Sequence, residues 1–236
     1  MNKKTLIVGS GRLATHFTHY FKELGLDFLN WNRQSKTSFS EYAKLHSNQI
    51  SAVYLLISDA QIENFYSRHK DLLSCPWVHA SGALQIKGML DLHPPMTFSA
   101  SLYSASFYKK IPLVSTSGRV FFEETFLDSL ENKFYQINSQ DKALYHSLLV
   151  LGVSATNVLW ESIERVFSKM DLPPEFVHAY KSKIFENNLQ QGIAAMTGPW
   201  VRNDAQTIAS NKLALENTGL SDLYSDLLGI YERTSN

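Results

Sequence analysis

Ten residues near the start of the chain, Thr5-Leu6-Ile7-Val8-Gly9-Ser10-Gly11-Arg12-Leu13-Ala14, limit the folds that the sequence can adopt. The apolar run at 5–8 is typical of a strand that is buried on both faces. Apolar side chains then recur every three or four positions over 12–24, which predicts an amphipathic helix, and Gly25 suits the left-handed residue that follows many helices. Strand, glycine turn and helix in this order predict the first unit of a parallel α/β sheet.

The rest of the first half repeats this alternation. Strands are expected at 26–31, 52–57 and 77–79, and helices at 38–46 and 60–69. Such alternation predicts a doubly wound parallel sheet. Farther on, strands at 96–98, 111–115 and 134–137 and a helix at 123–130 are expected.

The turn at 9–14 has the pattern G-x-G-x-x-A, which is characteristic of dinucleotide-binding α/β domains when it lies between a strand and a helix. Gly9 permits the tight turn, Gly11 lets the backbone approach a pyrophosphate, and Ala14 lets the helix pack closely on the sheet. The helix N-terminus attracts phosphates. A glycine turn without a ligand is the alternative. The expected cofactor-binding residues are Gly9, Ser10, Gly11, Arg12, Leu13 and Ala14.

The end of the second predicted strand indicates which dinucleotide binds. Domains that prefer NAD place an acidic residue there, but this sequence reads Asn30-Trp31-Asn32-Arg33-Gln34-Ser35-Lys36. Arg33 can pair with a 2′-phosphate, and Asn32 and Ser35 can add donors. The pattern therefore predicts NADP(H) rather than NAD, with a solvated basic loop as the alternative.

Composition excludes several classes of protein. The chain has 236 residues, of which 44% are apolar and 12% aromatic, so it is not a disordered chain. Lys and Arg number 22, as do Asp and Glu, and this balance gives no reason to expect a nucleic acid or an anionic membrane as partner. The single cysteine, Cys75, and eight scattered histidines predict no disulfide and no metal site. No apolar run near 18–20 residues is evident, and a cytoplasmic protein is expected.

The character of the sequence changes near 138, after which the periodicity is helical. A helix is expected over 140–170, a break at Pro173-Pro174, an interruption at Gly198-Pro199, and helices over 204–215 and 221–233. The prediction is an α/β Rossmann-like domain over 1–138 and a smaller all-α domain over 139–236. Because the long helix is apolar around much of its circumference, a homodimer through the helical domain is expected.

Four further motifs carry a resemblance, and they are His79-Ala80-Ser81-Gly82-Ala83-Leu84, Leu92-His93-Pro94-Pro95-Met96-Thr97-Phe98, Tyr145-His146 with Asn157, and Thr197-Gly198-Pro199-x-x-Arg202-x-Asp204. With the fingerprint, they resemble an uncharacterised bacterial family of NADP-dependent oxidoreductases. Its members join a Rossmann-like domain to a C-terminal helical domain of unknown function, related to the helical domains of 6-phosphogluconate dehydrogenases. The resemblance implies NADP(H), a dimer, and cofactor contacts from Ser58, Asp59 and Ser81. Two positions depart from the family: Ser58-Asp59 replaces Pro-Asp, and Arg202-Asn203-Asp204 replaces Arg-Gly-Asp.

The candidate catalytic residues are Ser81, His93, His146 and Asn157. Prephenate and arogenate dehydrogenases are similar here, and by that likeness Ser81 and His93 would orient and deprotonate an alcohol. His146 and Asn157 are 11 positions apart on the predicted helix, which puts them on one face about 16 Å apart. His79 and Arg202 are the candidates for binding a substrate. Turn or core histidines, a helix-packing asparagine and a surface ion pair at Arg202 remain the alternatives.

Three functions are consistent with these residues. The first is an NADP(H)-dependent oxidoreductase that acts on a small, anionic alcohol, carbonyl or imine bound between the two domains. The second is a non-catalytic NADP(H)-binding regulator that senses redox state. The third is an oligomeric scaffold without a ligand.

Overall fold

A computed structural model of the chain describes residues 3–123 and 125–234. Five strands form one sheet, in which neighbouring strands are parallel and the order is β2-β1-β3-β4-β5. Their bounds are β1 Lys4–Val8, β2 Phe28–Trp31, β3 Ile50–Leu55, β4 Trp77–His79 and β5 Leu90–Asp91. The order reverses around β1, as in doubly wound sheets, so the predicted fold class is confirmed.

Both faces of this sheet are buried, because alternate residues of β1 enter different apolar clusters. Ile7 packs in one cluster with Phe17 and Tyr54, while Leu6 and Val8 pack in the other. Helices that follow the first three strands cover the sheet: α1 Arg12–Glu23, α2 Phe39–His46 and α3 Asp59–His69. The predicted strands and helices up to residue 79 are therefore present, with ends that differ by a few residues.

The segment after β5 differs from the prediction. Residues 96–98 are not a strand, because the chain continues from β5 through one antiparallel bridge, His93 to Val114, and then leaves the sheet. A short helix, α4 Ala105–Tyr108, precedes β6 Leu113–Ser115, which pairs in parallel with β7 Phe134–Gln136. The helix predicted over 123–130 is a 3-10 helix at Phe126–Ser129 instead, and Glu124 lies outside the described residues.

The second half is helical, as predicted. It contains α5 Lys142–Ser168, α6 His178–Gln191, α7 Ala205–Ala214 and α8 Ser221–Thr234. Asp204 caps α7, because its carboxylate accepts hydrogen bonds from the backbone N–H (3.1 Å) and hydroxyl (2.7 Å) of Thr207. The preceding Asn203 has a φ of 53°, a left-handed conformation that asparagine tolerates.

Contacts divide the chain into two compact units, 1–151 and 152–236. This boundary falls within α5, later than the junction at 138/139 where the sequence changes character. The first turns of α5 belong to the N-terminal unit because Lys142, Tyr145 and His146 contact the end of the sheet.

The expectation that no segment is apolar enough to span a membrane was wrong. Among the described residues, the helical segment Ser139–Ser168 passes by length and composition, with a mean hydropathy of 1.3. Residues 143–160 include no Asp, Glu, Lys or Arg, although single polar residues interrupt the apolar ones. Buried core helices of soluble proteins can meet the same criterion, but none of this window is buried in the single chain.

Candidate functional site

A cavity of about 930 Å³ lies at the carboxyl ends of the central strands. Open parallel sheets bind their ligands at this edge, near the strand where the order reverses. Its lining includes most of the expected cofactor residues, namely Gly9, Ser10, Gly11, Arg12, Leu13, Asn32, Arg33, Ser58, Asp59 and Ser81. Ala14 is buried beneath the turn, and Ser35 does not line the cavity.

The two glycines of the turn have different physical roles. Gly9 has a φ of +136°, and a Cβ there would lie 2.2 Å from the carbonyl oxygen of Leu56. Gly11 has an ordinary φ of −72°, and a Cβ there would meet nothing within 4 Å. Gly9 is therefore required by the fold. The space beside Gly11 is open where the start of α1 presents free N–H groups, which suits a phosphate.

The loop after β2 presents a cation to the cavity. Arg33 is exposed and makes no hydrogen bond or ion pair with the residues that the structure describes. Asn32 and Ser35 instead hold the loop, since the Asn32 N–H donates to the Ser35 hydroxyl (3.1 Å) and its side-chain oxygen accepts from Gln34 (2.9 Å). No acidic side chain of this loop competes for Arg33.

Ser81 and Asp59 meet where the cavity reaches β4. The Ser81 hydroxyl donates to the Asp59 carboxylate at 2.6 Å and accepts from the backbone N–H groups of Ala83 (3.2 Å) and Leu84 (3.0 Å). With one proton given and two bonds accepted, this hydroxyl orders the loop after β4. A substrate that used it would have to displace one of these partners.

His93 and His146 converge over Gly82. Their ring centroids are 5.9 Å apart, and a Cβ on Gly82 would lie 2.4 Å from the His146 ring and 3.0 Å from Nε2 of His93. On the other side of His93, Nδ1 lies 2.7 Å from the Tyr145 hydroxyl. Burial, and then the charges of His146 and Lys142, lower the pKa of His93 to about 4 against the opposing effect of two carboxylates. The His93 ring is therefore neutral at pH 7.

A buried ion pair anchors α5 beside this cluster. Lys142 Nζ lies 2.8 Å from the Asp91 carboxylate, which also accepts bonds from the backbone N–H and hydroxyl of Thr116. Lys142 donates as well to the carbonyl of Leu84. Burial alone would raise the pKa of Asp91, but these hydrogen bonds and the Lys142 charge lower it. Asp91 is thus a buried anion whose cation is supplied by the first turn of α5.

His79 is fully buried at the end of β4 and does not line the cavity. Its Nδ1 accepts from the Ser81 N–H at 3.2 Å, while its buried Nε2 has no hydrogen bond among the described residues. Burial lowers its pKa to about 4. Contact with a substrate, as predicted for His79, would require this side chain to be exposed first.

The structure thus brings Ser81, His93 and His146 together. Asn157 and Arg202 belong to the other unit, where both are exposed and Asn157 donates to the Val153 carbonyl of its own helix (3.0 Å), so their roles stay predictions.

Sequence reasoning missed Tyr145, Asp91 and the burial of Lys142. Only Tyr145 had a signal, because it stands beside His146 in one of the motifs. Among the described residues, no group of three or more His, Cys, Asp or Glu side chains could hold a metal ion.

Comparison with known proteins identifies the second half of the chain. Residues 117–230 match the model of DUF2520, a domain of unknown function. A search of curated proteins gives no match.

Solved structures of similar fold cover almost the whole chain. A protein from Thermotoga maritima has a TM-score of 0.72 at 20% identity, covering 97% of each chain. A proposed NADP oxidoreductase from Bacteroides fragilis has a TM-score of 0.68 at 17% identity, covering 96% of each. A pyrroline carboxylate reductase from Plasmodium falciparum, solved with NADP bound, has a TM-score of 0.60 at 12% identity, covering 97% of this chain and 96% of the other. Residues 117–230 therefore match a DUF2520 domain, and the chain as a whole has the fold of these structures, which agrees with the family resemblance that its motifs carry.

Proposed function

We propose that the chain is an NADP(H)-dependent oxidoreductase for a small, anionic carbonyl, imine or alcohol. The observation that carries the proposal is the 930 Å³ cavity, which begins at the Gly9–Gly11 turn and ends at Ser81, next to the glycine beneath His93. A neutral histidine at the end of a dinucleotide cavity is suited to moving the proton of a reacting hydroxyl or carbonyl. When bound, the nicotinamide supplies or accepts hydride.

The residues of the cavity fit a dinucleotide with a 2′-phosphate. The opening beside Gly11 leaves room for a pyrophosphate at the start of α1. Arg33 offers a guanidinium without a protein partner among the described residues, and no carboxylate on this loop would repel a phosphate. We therefore expect NADP(H) to bind in preference to NAD(H).

An anionic substrate is proposed on two grounds. Arg202 is an exposed cation in one of the motifs that carry the family resemblance, and it is our candidate for binding the anionic group. The reductase from Plasmodium falciparum, which shares the fold, is named for pyrroline carboxylate, which has a C=N bond and a carboxylate. An imine or carbonyl acid is therefore the class to screen first.

Titration of the purified protein with NADPH and NADH, followed by nicotinamide fluorescence, tests the cofactor. NADPH should bind at least ~10-fold more tightly than NADH, which corresponds to about 1.4 kcal/mol. Arg33→Asp should remove or invert this preference, whereas Arg68→Asp, which changes an exposed arginine outside the cavity, should preserve it. Equal binding of both nucleotides would contradict the role of Arg33, and binding of neither would contradict the proposal.

Oxidation of NADPH by a panel of small imine and carbonyl acids tests the chemistry. His93→Asn should abolish turnover while the affinity for NADPH stays within about 2-fold, because the ring adjoins the cavity rather than lining it. Full turnover in this variant would reject His93. Tight binding of NADPH without turnover on any substrate would favour the regulator.

We also propose that the protein is a homodimer in which a second copy covers the helical unit. Among the described residues of 152–234, Val177 is the only one whose side chain is buried. A unit of this size needs a hydrophobic core, and Leu151, Val153 and Val158 of α5 are about half exposed or more. A second copy presents the same uncharged surface and would bury both helices at once.

The mass of the purified protein in solution tests the dimer. We expect twice 26.8 kDa without detergent. Leu151→Glu should weaken the dimer, whereas Leu45→Glu, which changes another exposed leucine on α2, should not. A monomer without detergent, or a protein that dissolves only with detergent, would contradict a second copy as the cover.

A further inference from the structure

We propose that Tyr145 is a positioning residue that holds the proton of His93 on Nε2, so that His93 acts as an acid toward a carbonyl oxygen or an imine nitrogen. This inference rests on the function proposed above and assigns it a direction, reduction. It departs from the sequence-based expectation that His93 removes a proton from an alcohol.

The geometry leaves one nitrogen of His93 committed and one available. Nδ1 lies 2.7 Å from the Tyr145 hydroxyl, and the two rings pack edge-to-face with centroids 5.6 Å apart. Nε2 has no hydrogen bond in the described part of the chain and, unlike Nε2 of His79, it is not sealed from solvent. It lies over Gly82, whose missing side chain provides the space.

We assign the Tyr145 hydroxyl as the donor of this bond, because it keeps its proton and has one acceptor nearby. Burial and the charge of Asp91 raise the pKa of Tyr145 to about 12, so its hydroxyl keeps its proton at pH 7. Nδ1 of His93 is the one acceptor within reach of that proton among the described residues. A neutral imidazole carries one proton, and if Nδ1 accepts from Tyr145 that proton must be on Nε2.

This arrangement provides a proton donor without requiring a doubly protonated His93. With a pKa of about 4, only about one His93 ring in a thousand carries a second proton at pH 7. Burial of the ring is the main cause of the low pKa; His146 and Lys142 lower it further, while Asp59 and Asp91 raise it. An imidazolium is therefore too rare to be the main acid.

A relay of two protons avoids that requirement. As a substrate oxygen or nitrogen gains negative charge, the Nε2–H bond breaks and the substrate gains the proton, while the Tyr145 O–H bond breaks and Nδ1 gains its proton. The histidine ring stays neutral, and the negative charge moves to the Tyr145 oxygen. A tyrosinate with a pKa of about 12 recovers a proton from water, so the net source of the proton is solvent.

Nitrogen NMR of histidine-labelled protein without cofactor measures this arrangement directly. The His93 signals, assigned by their loss in His93→Asn, should show an Nε2–H form in at least ~10-fold excess. Tyr145→Phe keeps the ring and removes the donor, and should lower that ratio by roughly 5–10-fold. The control is Tyr135→Phe on β7, which removes an exposed hydroxyl without a contact to His93 and should leave the ratio unchanged.

Two results would overturn the inference: a wild-type ring with its proton on Nδ1, or a ratio that changes by less than 2-fold in Tyr145→Phe. In turnover assays the same variant should lower kcat by about 100-fold and leave NADPH affinity unchanged. The two proposals fail separately. If the wild-type protein binds no nucleotide, the proposed function is rejected. If the ratio of Nε2–H to Nδ1–H in His93 is unchanged in Tyr145→Phe, the role of Tyr145 is rejected even in an active enzyme.

Discussion

Replacing each glycine of the Gly9–Gly11 turn by alanine should separate folding from cofactor binding. In Gly11→Ala the new Cβ meets no atom within 4 Å, and the φ of −72° suits alanine. Alanine is a poorer N-cap than glycine by about 0.5–1 kcal/mol, and the loss of unfolded-state freedom offsets it by about 0.4–1 kcal/mol. The melting temperature of the protein without cofactor should therefore shift by no more than about 2 °C.

The affinity for NADPH, unlike the melting temperature, should change strongly in Gly11→Ala. The methyl group of Gly11→Ala would occupy the space in which a phosphate reaches the N–H groups at the start of α1. We expect the Kd for NADPH to rise at least ~10-fold, or about 1.4 kcal/mol. Gly9→Ala, whose Cβ would lie 2.2 Å from the Leu56 oxygen at a φ of +136°, should lower the free energy of unfolding by about 2–4 kcal/mol.

Thermal unfolding without nucleotide and NADPH titration of each variant measure both effects. Destabilisation of Gly11→Ala equal to that of Gly9→Ala would show that the space beside Gly11 is not open. Unchanged NADPH affinity in a stable Gly11→Ala would show that the cofactor does not approach this turn. Either result would refute the argument from the two glycines.

Two further predictions concern stability. Lys142→Met leaves the buried Asp91 carboxylate without its cation, and urea unfolding should show that the free energy of unfolding falls by about 3–5 kcal/mol. A fall of less than about 1 kcal/mol would mean that the pair is not buried as described. His79 and His93 have pKa values of about 4 in the folded protein, below the ordinary 6.5. Between pH 6.5 and pH 4 the unfolded chain therefore binds more protons than the folded chain, and the free energy of unfolding falls as the pH falls. From pH 6.5 to 5 the loss should be roughly 3 kcal/mol, about half of it absent in His93→Asn, and a flat urea-unfolding profile over this range would contradict both buried neutral rings.

The parts of the fold that the sequence predicts well are those set by neighbouring residues. The strand at Lys4–Val8, the helix at Arg12–Glu23 and the turn between them follow from apolar spacing and two glycines. Residues 96–98 look equally strand-like, but β5 is only two residues long and the chain leaves the sheet after the His93–Val114 bridge. No local pattern encodes where such a pairing stops, because the choice depends on residues far along the chain.

The candidate site also has a part that neighbouring residues predict and a part that depends on residues far apart in the sequence. Its cofactor half could be predicted because the fingerprint is contiguous, whereas the Lys142–Asp91 pair joins residues 51 positions apart. Lysine and aspartate are almost always exposed, so their burial together has no signature in composition or periodicity. The length of the apolar stretch in α5 was missed for a different reason: single polar residues, among them Ser154, Thr156 and Asn157, interrupt it without adding charge.

The buried ion pair and the Tyr145–His93 bond are coupled through the backbone of α5. Lys142 is less than one helical turn from Tyr145, so fixing the lysine at Asp91 also fixes the hydroxyl at Nδ1 of His93. Buried ion pairs are often no more stabilising than neutral side chains of similar shape, so stability alone does not explain this one. Lys142→Met combined with Asp91→Asn removes both charges and keeps an acceptor for Thr116. Relative to Lys142→Met alone, it should recover most of the free energy of unfolding. If the pair serves to place Tyr145, the proton ratio of His93 should still shift toward Nδ1 in this stable variant, whereas a wild-type ratio would mean that the pair contributes only to stability.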